Sequence, residues 1–173
     1  MVNKQQVLKV LENTKFPDNE TRKNILKKGQ KHSKNITLGK VLMMFGKGVA
    51  NSRNNKTYPE LLKMLKAFLK KEQPKYRFEA VGVVKNHASA KHTDKYNTTY
   101  SYIIGLGNYT GGELVFSDGP QKGPHNIKNR WLKFNGSFEH YVKPFKGQRY
   151  TLSSQVKCFF ITSLRGIKVH YIT

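Results

Sequence analysis

Short strand-like runs fill the C-terminal part of the chain and limit its fold more than any other feature. From Tyr76 onward, aromatic and β-branched residues form eight such runs, separated by Gly, Asn, Asp or Pro: FEAVGVV, YSYIIGL, ELVFS, RWLKFN, EHYVKPF, RYTLSS, KCFFITS and IKVHYIT. Runs of this length and composition are typical of β-strands. So many of them in one stretch favour an antiparallel sandwich or a jelly-roll barrel.

The N-terminal part has helical patterns instead. Residues 3–13 carry apolar side chains at helical spacing, and residues 19–28 could form a second, more polar helix. The sequence TYPE at residues 57–60 has the spacing of a capping box, with proline in the first turn. It is followed by an apolar face that predicts a helix ending before Pro74, formed by Leu61, Leu62, Leu65, Phe68 and Leu69.

Helical patterns in the N-terminal part, followed by strand patterns in the C-terminal part, predict a single α+β domain over residues 1–173. In this interpretation residues 1–75 are mostly helical support and residues 76–173 form the β core. A glycine-containing stretch at 39–56 predicts a short strand or two with a loop. The chain is long enough to bury a core of its own.

The charge of the chain predicts a polyanionic partner. There are 32 Lys and Arg residues against 10 Asp and Glu, a formal net charge of +22. Such a field attracts nucleic acid first, then an anionic membrane or an acidic protein. The alternative is a generally cationic, soluble surface that has no polyanion partner.

Apolar content bears on the cellular location. The longest apolar runs are only a few residues, so we expect no membrane span and no targeting segment. The single cysteine, Cys158, lies in the apolar run CFFI, which indicates a buried, inert thiol. This fits an intracellular, reducing compartment, either nucleus or cytoplasm. The oligomeric state is left open.

A His-x-Asp pair is the first candidate for chemistry. On a strand, residues i and i+2 point to the same face, so His92 and Asp94 could reach one ion. By itself the pair is better explained as satisfied surface residues. His140, on a later strand, could complete a two-His-one-carboxylate triad, which leaves positions of Fe(II) open for a co-substrate and O₂. The remaining histidines lie in a loop, near the C-terminus or without matching partners: His32, His87, His125 and His170.

An arginine follows the second histidine across a turn. Arg149 lies on a strand candidate, and an inward arginine in a barrel core needs an anion. Its planar fork suits a carboxylate. Thr151 is two residues farther on the same face and could donate a hydrogen bond to that carboxylate.

A longer set of motifs surrounds these residues. It consists of Asn86, HTDKYN from His92, SYIIGLGNYTGGEL from Ser101, NRW from Asn129, FNG from Phe134, His140, and PFKGQRY from Pro144. In order and spacing, the chain from about Thr37 to Leu152 resembles the Fe(II)/2-oxoglutarate-dependent dioxygenases. Within them it is similar to the TET/JBP-like branch and its relatives in protists, algae, fungi and large viruses.

The resemblance implies a fold and a site. The fold is a double-stranded β-helix of the jelly-roll, cupin-like type with the N-terminal helices packed on it. Fe(II) would be held by His92, Asp94 and His140, and the distal carboxylate of 2-oxoglutarate by Arg149 with help from Thr151. O₂ would be the oxidant, and the Gly111-Gly112-Glu113 segment would be a tight turn typical of the superfamily.

Four more residues are candidates for the site. Tyr102, on a strand soon after the ligands, either contacts the co-substrate or packs in the core. Asn86 either contacts co-substrate or substrate, or holds a loop. Tyr96 and Asn97, beside the metal ligands, are candidate substrate contacts, and Tyr96 could stack on a base.

Charge and resemblance together predict a dioxygenase that hydroxylates the methyl group of a pyrimidine base in DNA or RNA. The base would have to be flipped out or already single-stranded, and lysines of the N-terminal part would hold phosphates. One alternative is a protein hydroxylase of the same superfamily acting on a prolyl, lysyl or other side chain. Another is a non-catalytic, basic nucleic-acid-binding module.

Overall fold

The computed structural model describes residues 2–43, 48–94 and 100–155. In these ranges the helices are α1 (Lys4–Asn13), α2 (Asn54–Thr57) and α3 (Pro59–Glu72), with a 3₁₀ turn at Lys23–Ile25. The strands are β1 (Asp18–Asn19), β2 (Ser33–Leu42), β3 (Val49–Asn51), β4 (Ala80–Lys85), β5 (Tyr100–Leu106), β6 (Tyr109–Gly111), β7 (Leu114–Phe116), β8 (Gly123–His125), β9 (Leu132–Asn135), β10 (His140–Val142), β11 (Phe145–Gly147) and β12 (Tyr150–Gln155). Cys158, His170 and the last two predicted strand runs lie outside the described residues.

The largest sheet is antiparallel and joins strands from both parts of the chain. Its order is β1-β2-β4-β12-β5-β9, and β3 also pairs with β2. Strand β12 lies between β4 and β5, so its backbone is hydrogen-bonded on both sides. Its side chains can therefore point only to one face of the sheet or the other.

Two smaller antiparallel sheets face the main one. Their orders are β10-β7-β8 and β11-β6. Apolar side chains of the main sheet, of the three-stranded sheet and of the segment between β8 and β9 form a common core, consisting of Ile103, Leu114, Phe116, Ile127, Phe134 and Val142. We call the face of the main sheet that borders this core the inner face.

The outer face of the main sheet is covered by α1 and α3. Apolar residues of these helices pack on those of the strands, with a buried set that includes Val7, Leu11, Leu61, Leu65, Phe68, Leu69, Ile36, Leu38, Val81, Val83, Ile104, Leu106, Tyr150 and Leu152. Apolar burial of this kind is the main favourable term in folding. Within the described ranges, no helix is both long and apolar enough to cross a membrane.

The two long helices begin in different ways. Asn3 and Gln6 form a capping box at the start of α1, with both side chain to backbone hydrogen bonds at 2.9 Å. Pro59 occupies the first turn of α3, as predicted, but no side chain caps this helix and Thr57 belongs to α2. The helix and its apolar face are confirmed, whereas the capping box predicted at 57–60 is wrong.

The N-terminal part is less helical than the sequence predicted. The helix expected at residues 19–28 is wrong, because Asn19 belongs to β1 and the only helical turn among these residues is the 3₁₀ turn Lys23–Ile25. Strands β1 to β3 also lie in this part, and the ten-residue β2 pairs along β4. Ile36 and Leu38 alternate along β2 and are fully buried. Pairing with β4 places Ile36 and Leu38 in the core, and this burial stabilises residues 33–42 as a strand.

Candidate metal centre

The His-x-Asp pair and the second histidine come together where two chain segments meet. His92 and His140 form an isolated antiparallel bridge, with hydrogen bonds of 3.0 and 2.9 Å between their backbones. The Asp94 N–H donates to the Gly136 carbonyl at 2.8 Å, which holds the backbone of Asp94 in place. One ligand atom from each of His92, Asp94 and His140 lies within 4.8 Å of the other two.

Backbone carbonyls hold both imidazoles in one tautomer. The Nδ1–H of His92 donates to the Ala90 carbonyl and that of His140 to the Phe138 carbonyl, each at 2.8 Å. In both cases the carbonyl belongs to the residue two positions earlier. Each Nε2 therefore keeps a lone pair for a metal, and the ring is held in place. Two such imidazoles and one carboxylate form the donor set that suits non-haem Fe(II).

The surroundings of the two rings favour neutral imidazole. His140 is 4% exposed and packs against the rings of Phe116 and Phe134. Burial, and then the nearby His140, lower the pKa of His92 from its ordinary value. A metal competes with protons for the imidazole nitrogen, so a lowered pKa favours metal binding near neutral pH.

Arg22 contacts the carboxylate of the triad. Its Nη2 lies 3.1 Å from Asp94 Oδ1, and the Asp94 side chain is 17% exposed. One oxygen of Asp94 is thus held by a cation and the other remains for a metal. Arg22 could not be identified from the sequence, because it is far from Asp94 in the chain and no local motif connects the two residues.

Arg149 is buried on the inner face. It is 1% exposed, and its Nη1 donates to Thr151 Oγ1 at 3.1 Å and its Nη2 to the Gly112 carbonyl at 3.2 Å. No carboxylate lies within ion-pair distance in the described ranges, and the buried Nε has no hydrogen-bond partner there. Burial lowers the pKa of this guanidinium. A buried cation in this state suits a bound carboxylate.

Two aromatic rings enclose the guanidinium of Arg149. Its central carbon lies 5.5 Å from the ring centre of Tyr109 and 5.4 Å from that of Phe145. The Tyr109 hydroxyl is buried and has no hydrogen-bond partner among the described residues. Tyr109 was not predicted as a site residue, although it lies within the motif from Ser101 to Leu114.

The Gly-Gly turn lets the backbone approach Arg149. Gly111 and Gly112 have φ values of +76° and +73°, so both adopt the unusual backbone dihedrals that the sequence predicted. A Cβ at Gly112 would lie 3.1 Å from both Arg149 Nε and Phe145 Cβ. The absence of a side chain at Gly112 therefore leaves room for the guanidinium.

Tyr102 lies on the outer face of the main sheet, opposite to Thr151. It pairs with Ser154, and its neighbours along β5 and β12 on that face are Ile104 and Leu152, which pack against the helices. Its ring lies 4.6 Å from that of Tyr76. Thr151 pairs instead with Gly105, on the other face. Of the two alternatives for Tyr102, this geometry therefore favours packing over contact with the co-substrate.

Asn86 supports Arg149 through the backbone. Its Oδ1 accepts from the Arg149 N–H at 2.7 Å, and its own N–H donates to the Arg149 carbonyl at 2.8 Å. A φ of +49° places it in the left-handed region, where Asn is tolerated. The structure therefore favours the interpretation that Asn86 holds a loop over the one in which it contacts co-substrate or substrate. Tyr96 and Asn97 lie outside the described residues.

The triad and Arg149 border the same interior. His140 packs against Phe116 and Phe134 of the inner core, and Ile103 belongs to that core as well. Ile103 shares its face of β5 with Gly105, the partner of Thr151. A ligand between the sheets could therefore touch the triad at one end and Arg149 at the other.

Comparisons with solved structures identify proteins that share the fold of this chain. No protein-family model and no curated protein sequence matches the chain. Among solved structures, NgTET1 in complex with 5mC DNA is 13% identical, with a TM-score of 0.59 over 90% of this chain and 69% of that chain. An oxidoreductase of the 2OG-Fe(II) oxygenase family from Burkholderia pseudomallei is 15% identical, with a TM-score of 0.50 over 87% of this chain and 77% of that chain. The chain therefore has the fold of the 2OG-Fe(II) oxygenases, as the resemblance of its motifs implied.

Proposed function

We propose that this protein is an Fe(II)- and 2-oxoglutarate-dependent dioxygenase, and that it hydroxylates the methyl group of a pyrimidine base in DNA or RNA. Its facing sheets would be those of a double-stranded β-helix. One observation carries the enzymatic part of the proposal. The cluster of His92, Asp94 and His140 shares an interior with Arg149, a buried arginine that has no carboxylate partner among the described residues.

Each of these residues would have a distinct role. His92, Asp94 and His140 would hold Fe(II), and Arg149 with Thr151 would hold the distal carboxylate of 2-oxoglutarate. When bound, the metal and the co-substrate supply the activation of O₂ and the oxidising chemistry. The chain orients the ligands through the Ala90 and Phe138 carbonyls.

Burial of the site strengthens this arrangement. A guanidinium with 1% exposure attracts a carboxylate more strongly than one in water. The rings of Phe116 and Phe134 beside His140 exclude water from one side of the triad.

Two observations support nucleic acid as the substrate. The net charge of +22 favours polyanions. The fold is also shared with NgTET1, which was solved with 5mC DNA. A base in a duplex would have to leave the stack to reach a metal between the sheets, and a base in a single strand would be accessible directly.

The test measures succinate and product mass together. The wild-type protein is incubated with Fe(II), 2-oxoglutarate, O₂ and methylated DNA, methylated RNA or a peptide pool. We expect succinate, and a gain of one oxygen atom on a pyrimidine nucleoside after digestion. Asp94→Ala should lose both, because the triad is incomplete.

His125→Gln is the matched control for the loss of a ligand. His125 lies on β8, where its Nε2–H donates to the Gln121 carbonyl at 2.7 Å, and Gln keeps an N–H donor there. This variant should retain both products. An oxygen gain on peptide alone would replace nucleic acid by a protein substrate, and no succinate under any condition would contradict the dioxygenase.

A further inference from the structure

A strongly basic segment, residues 20–34, runs from the end of β1 into the first residues of β2. It contains six Lys and Arg residues and one acidic residue, Glu20. Four exposed lysines of this segment line an open depression of about 470 Å³ together with Glu20, Leu26 and Gln30: Lys23, Lys27, Lys28 and Lys31. In the described part of the chain, no carboxylate lies within ion-pair distance of these four. Their charges are thus available to an anion.

The basic segment is attached to the stretch of chain that carries the metal ligands. The Ile25 carbonyl accepts hydrogen bonds from the Ala90 N–H at 2.9 Å and from His87 Nε2–H at 3.0 Å. Ile25 itself is 3% exposed. Lys23 and Lys27 lie two residues to either side of this attachment, and Ala90 lies two residues before His92.

A second attachment reaches the triad itself. Arg22, the residue before Lys23, lies 3.1 Å from Asp94 Oδ1. The basic segment is therefore held beside the metal centre at two points, Arg22 and Ile25. Many other lysines are exposed in this chain, but those on α3 lie behind the outer face of the main sheet.

We infer that residues 20–34 form the phosphate-binding surface for a nucleic-acid substrate, with Lys23, Lys27, Lys28 and Lys31 contacting backbone phosphates that flank the oxidised base. The inference rests on the proposed function for its substrate class. A base taken out of the stack stays attached to its own phosphates. The surface that binds those phosphates must therefore border the metal centre, as this segment does.

The chemistry of the segment fits a phosphate backbone. Lysine ammonium groups bind phosphates as point charges, independently of base sequence. Such contacts release counterions, so affinity falls steeply as salt rises. Specific reading of the base is left to residues nearer the metal.

The experiment compares two variants with the same change in net charge. The first replaces Lys23, Lys27, Lys28 and Lys31 with Gln. The control replaces four exposed lysines of α3 with Gln: Lys63, Lys66, Lys70 and Lys71. Binding of a fluorescent methylated oligonucleotide, single-stranded and duplex, is measured by anisotropy over a range of salt concentrations, with unfolding curves to verify folding.

We expect the first variant to bind at least about tenfold more weakly and to lower the slope of log affinity against log salt by roughly 3, since each phosphate contact contributes about 0.7–0.9. The α3 variant should change both quantities much less. Equal losses in the two variants would overturn the inference, because binding would then follow net charge alone. Undetectable binding of the oligonucleotide by the wild type would overturn it as well.

Succinate formation without nucleic acid separates this inference from the proposed function. It should be unchanged in both variants, because none of the replaced lysines belongs to the triad or to the Arg149 pocket. Normal succinate formation with equal losses of binding would remove only the inference, whereas no succinate in the wild type would remove the proposed function. If the variant with four replaced lysines does not fold, two double variants are compared instead. The first carries Lys27→Gln and Lys28→Gln, and the control carries Lys66→Gln and Lys70→Gln.

Discussion

The two faces of strand β12 carry different kinds of residue on one backbone. Tyr150 and Leu152 point to the outer face and are fully buried among the apolar residues of α1 and α3. Arg149 and Thr151 point to the inner face and are almost as completely buried, but they are polar and bonded to each other. Burial is thus similar on both faces, and the chemistry of the buried groups is opposite.

The apolar residues of the outer face and the polar residues of the inner face contribute differently to the stability of the fold. Each buried apolar side chain of the outer face contributes about 1.5–3 kcal/mol to folding. A buried guanidinium without a carboxylate partner opposes folding. Arg149 is therefore better explained by ligand binding than by stability. We expect substitutions on the inner face to lower ligand affinity and substitutions on the outer face to lower the free energy of unfolding.

The largest expected effect is the loss of metal binding in Asp94→Ala. We expect the affinity for Mn(II) or Fe(II) to fall by more than about a hundredfold, beyond the 10–100-fold typical when a group that only supports a ligand is removed. The free energy of unfolding of the metal-free protein should change by less than about 1 kcal/mol. Equilibrium dialysis and urea unfolding measure the two quantities, and wild-type metal affinity in this variant would contradict the triad.

A pair of substitutions on β12 tests the comparison between the faces directly. Arg149→Gln should weaken 2-oxoglutarate binding by roughly 10–100-fold, since a charge-assisted hydrogen bond contributes about 1.5–3 kcal/mol. Leu152→Ala should cost about 2–5 kcal/mol of unfolding free energy and leave 2-oxoglutarate affinity unchanged while the protein is folded. Calorimetric titration and urea unfolding of both variants would show whether the effects separate or coincide.

Arg22→Gln should lower metal affinity by about tenfold, as is typical when a group that orients a metal ligand is lost. The physical reason is the 3.1 Å contact with Asp94 Oδ1, which aligns the carboxylate. Arg77→Gln, at another exposed arginine, is the control and should have no effect. Tighter metal binding in Arg22→Gln would mean that Arg22 competes with the metal instead of orienting its ligand.

The smallest expected effect concerns two tyrosines on opposite faces. Tyr109→Phe should raise KM for 2-oxoglutarate by roughly 2–10-fold, because its buried hydroxyl lies beside Arg149 and a neutral hydrogen bond contributes about 0.5–1.5 kcal/mol. Tyr102→Phe should leave KM unchanged, because its ring packs on Tyr76 at the outer face. Steady-state succinate formation distinguishes them, and the reverse ranking would contradict the assignment of faces.

The cluster of His92, Asp94 and His140, and the candidate Arg149, could be predicted from the sequence because their chemistry restricts the choice. Few acids are available after residue 76, and His-x-Asp, a later His and an Arg-x-Thr strand have a recognisable order. Strand runs such as YSYIIGL were predictable from composition, and β5 begins and ends with that run.

Other features depend on contacts between distant residues. Alternation along β5 leaves two possible faces for Tyr102, and only the pairing with β12 decides between them. The strand β2 is stabilised by pairing with β4, and the sequence of residues 33–42 alone was not sufficient to predict a strand of this length. Arg22 contacts Asp94, which is 72 positions away in the sequence, and no local sequence pattern predicts this contact.

The most direct test of the account is the binding of 2-oxoglutarate to the wild-type protein under anaerobic conditions, with and without Mn(II), by calorimetric titration. We predict one molecule bound per chain, with an affinity that rises when the metal is present, because the triad and Arg149 would hold the two ends of the same molecule. Absence of binding, or binding of equal affinity with and without metal, would contradict the account.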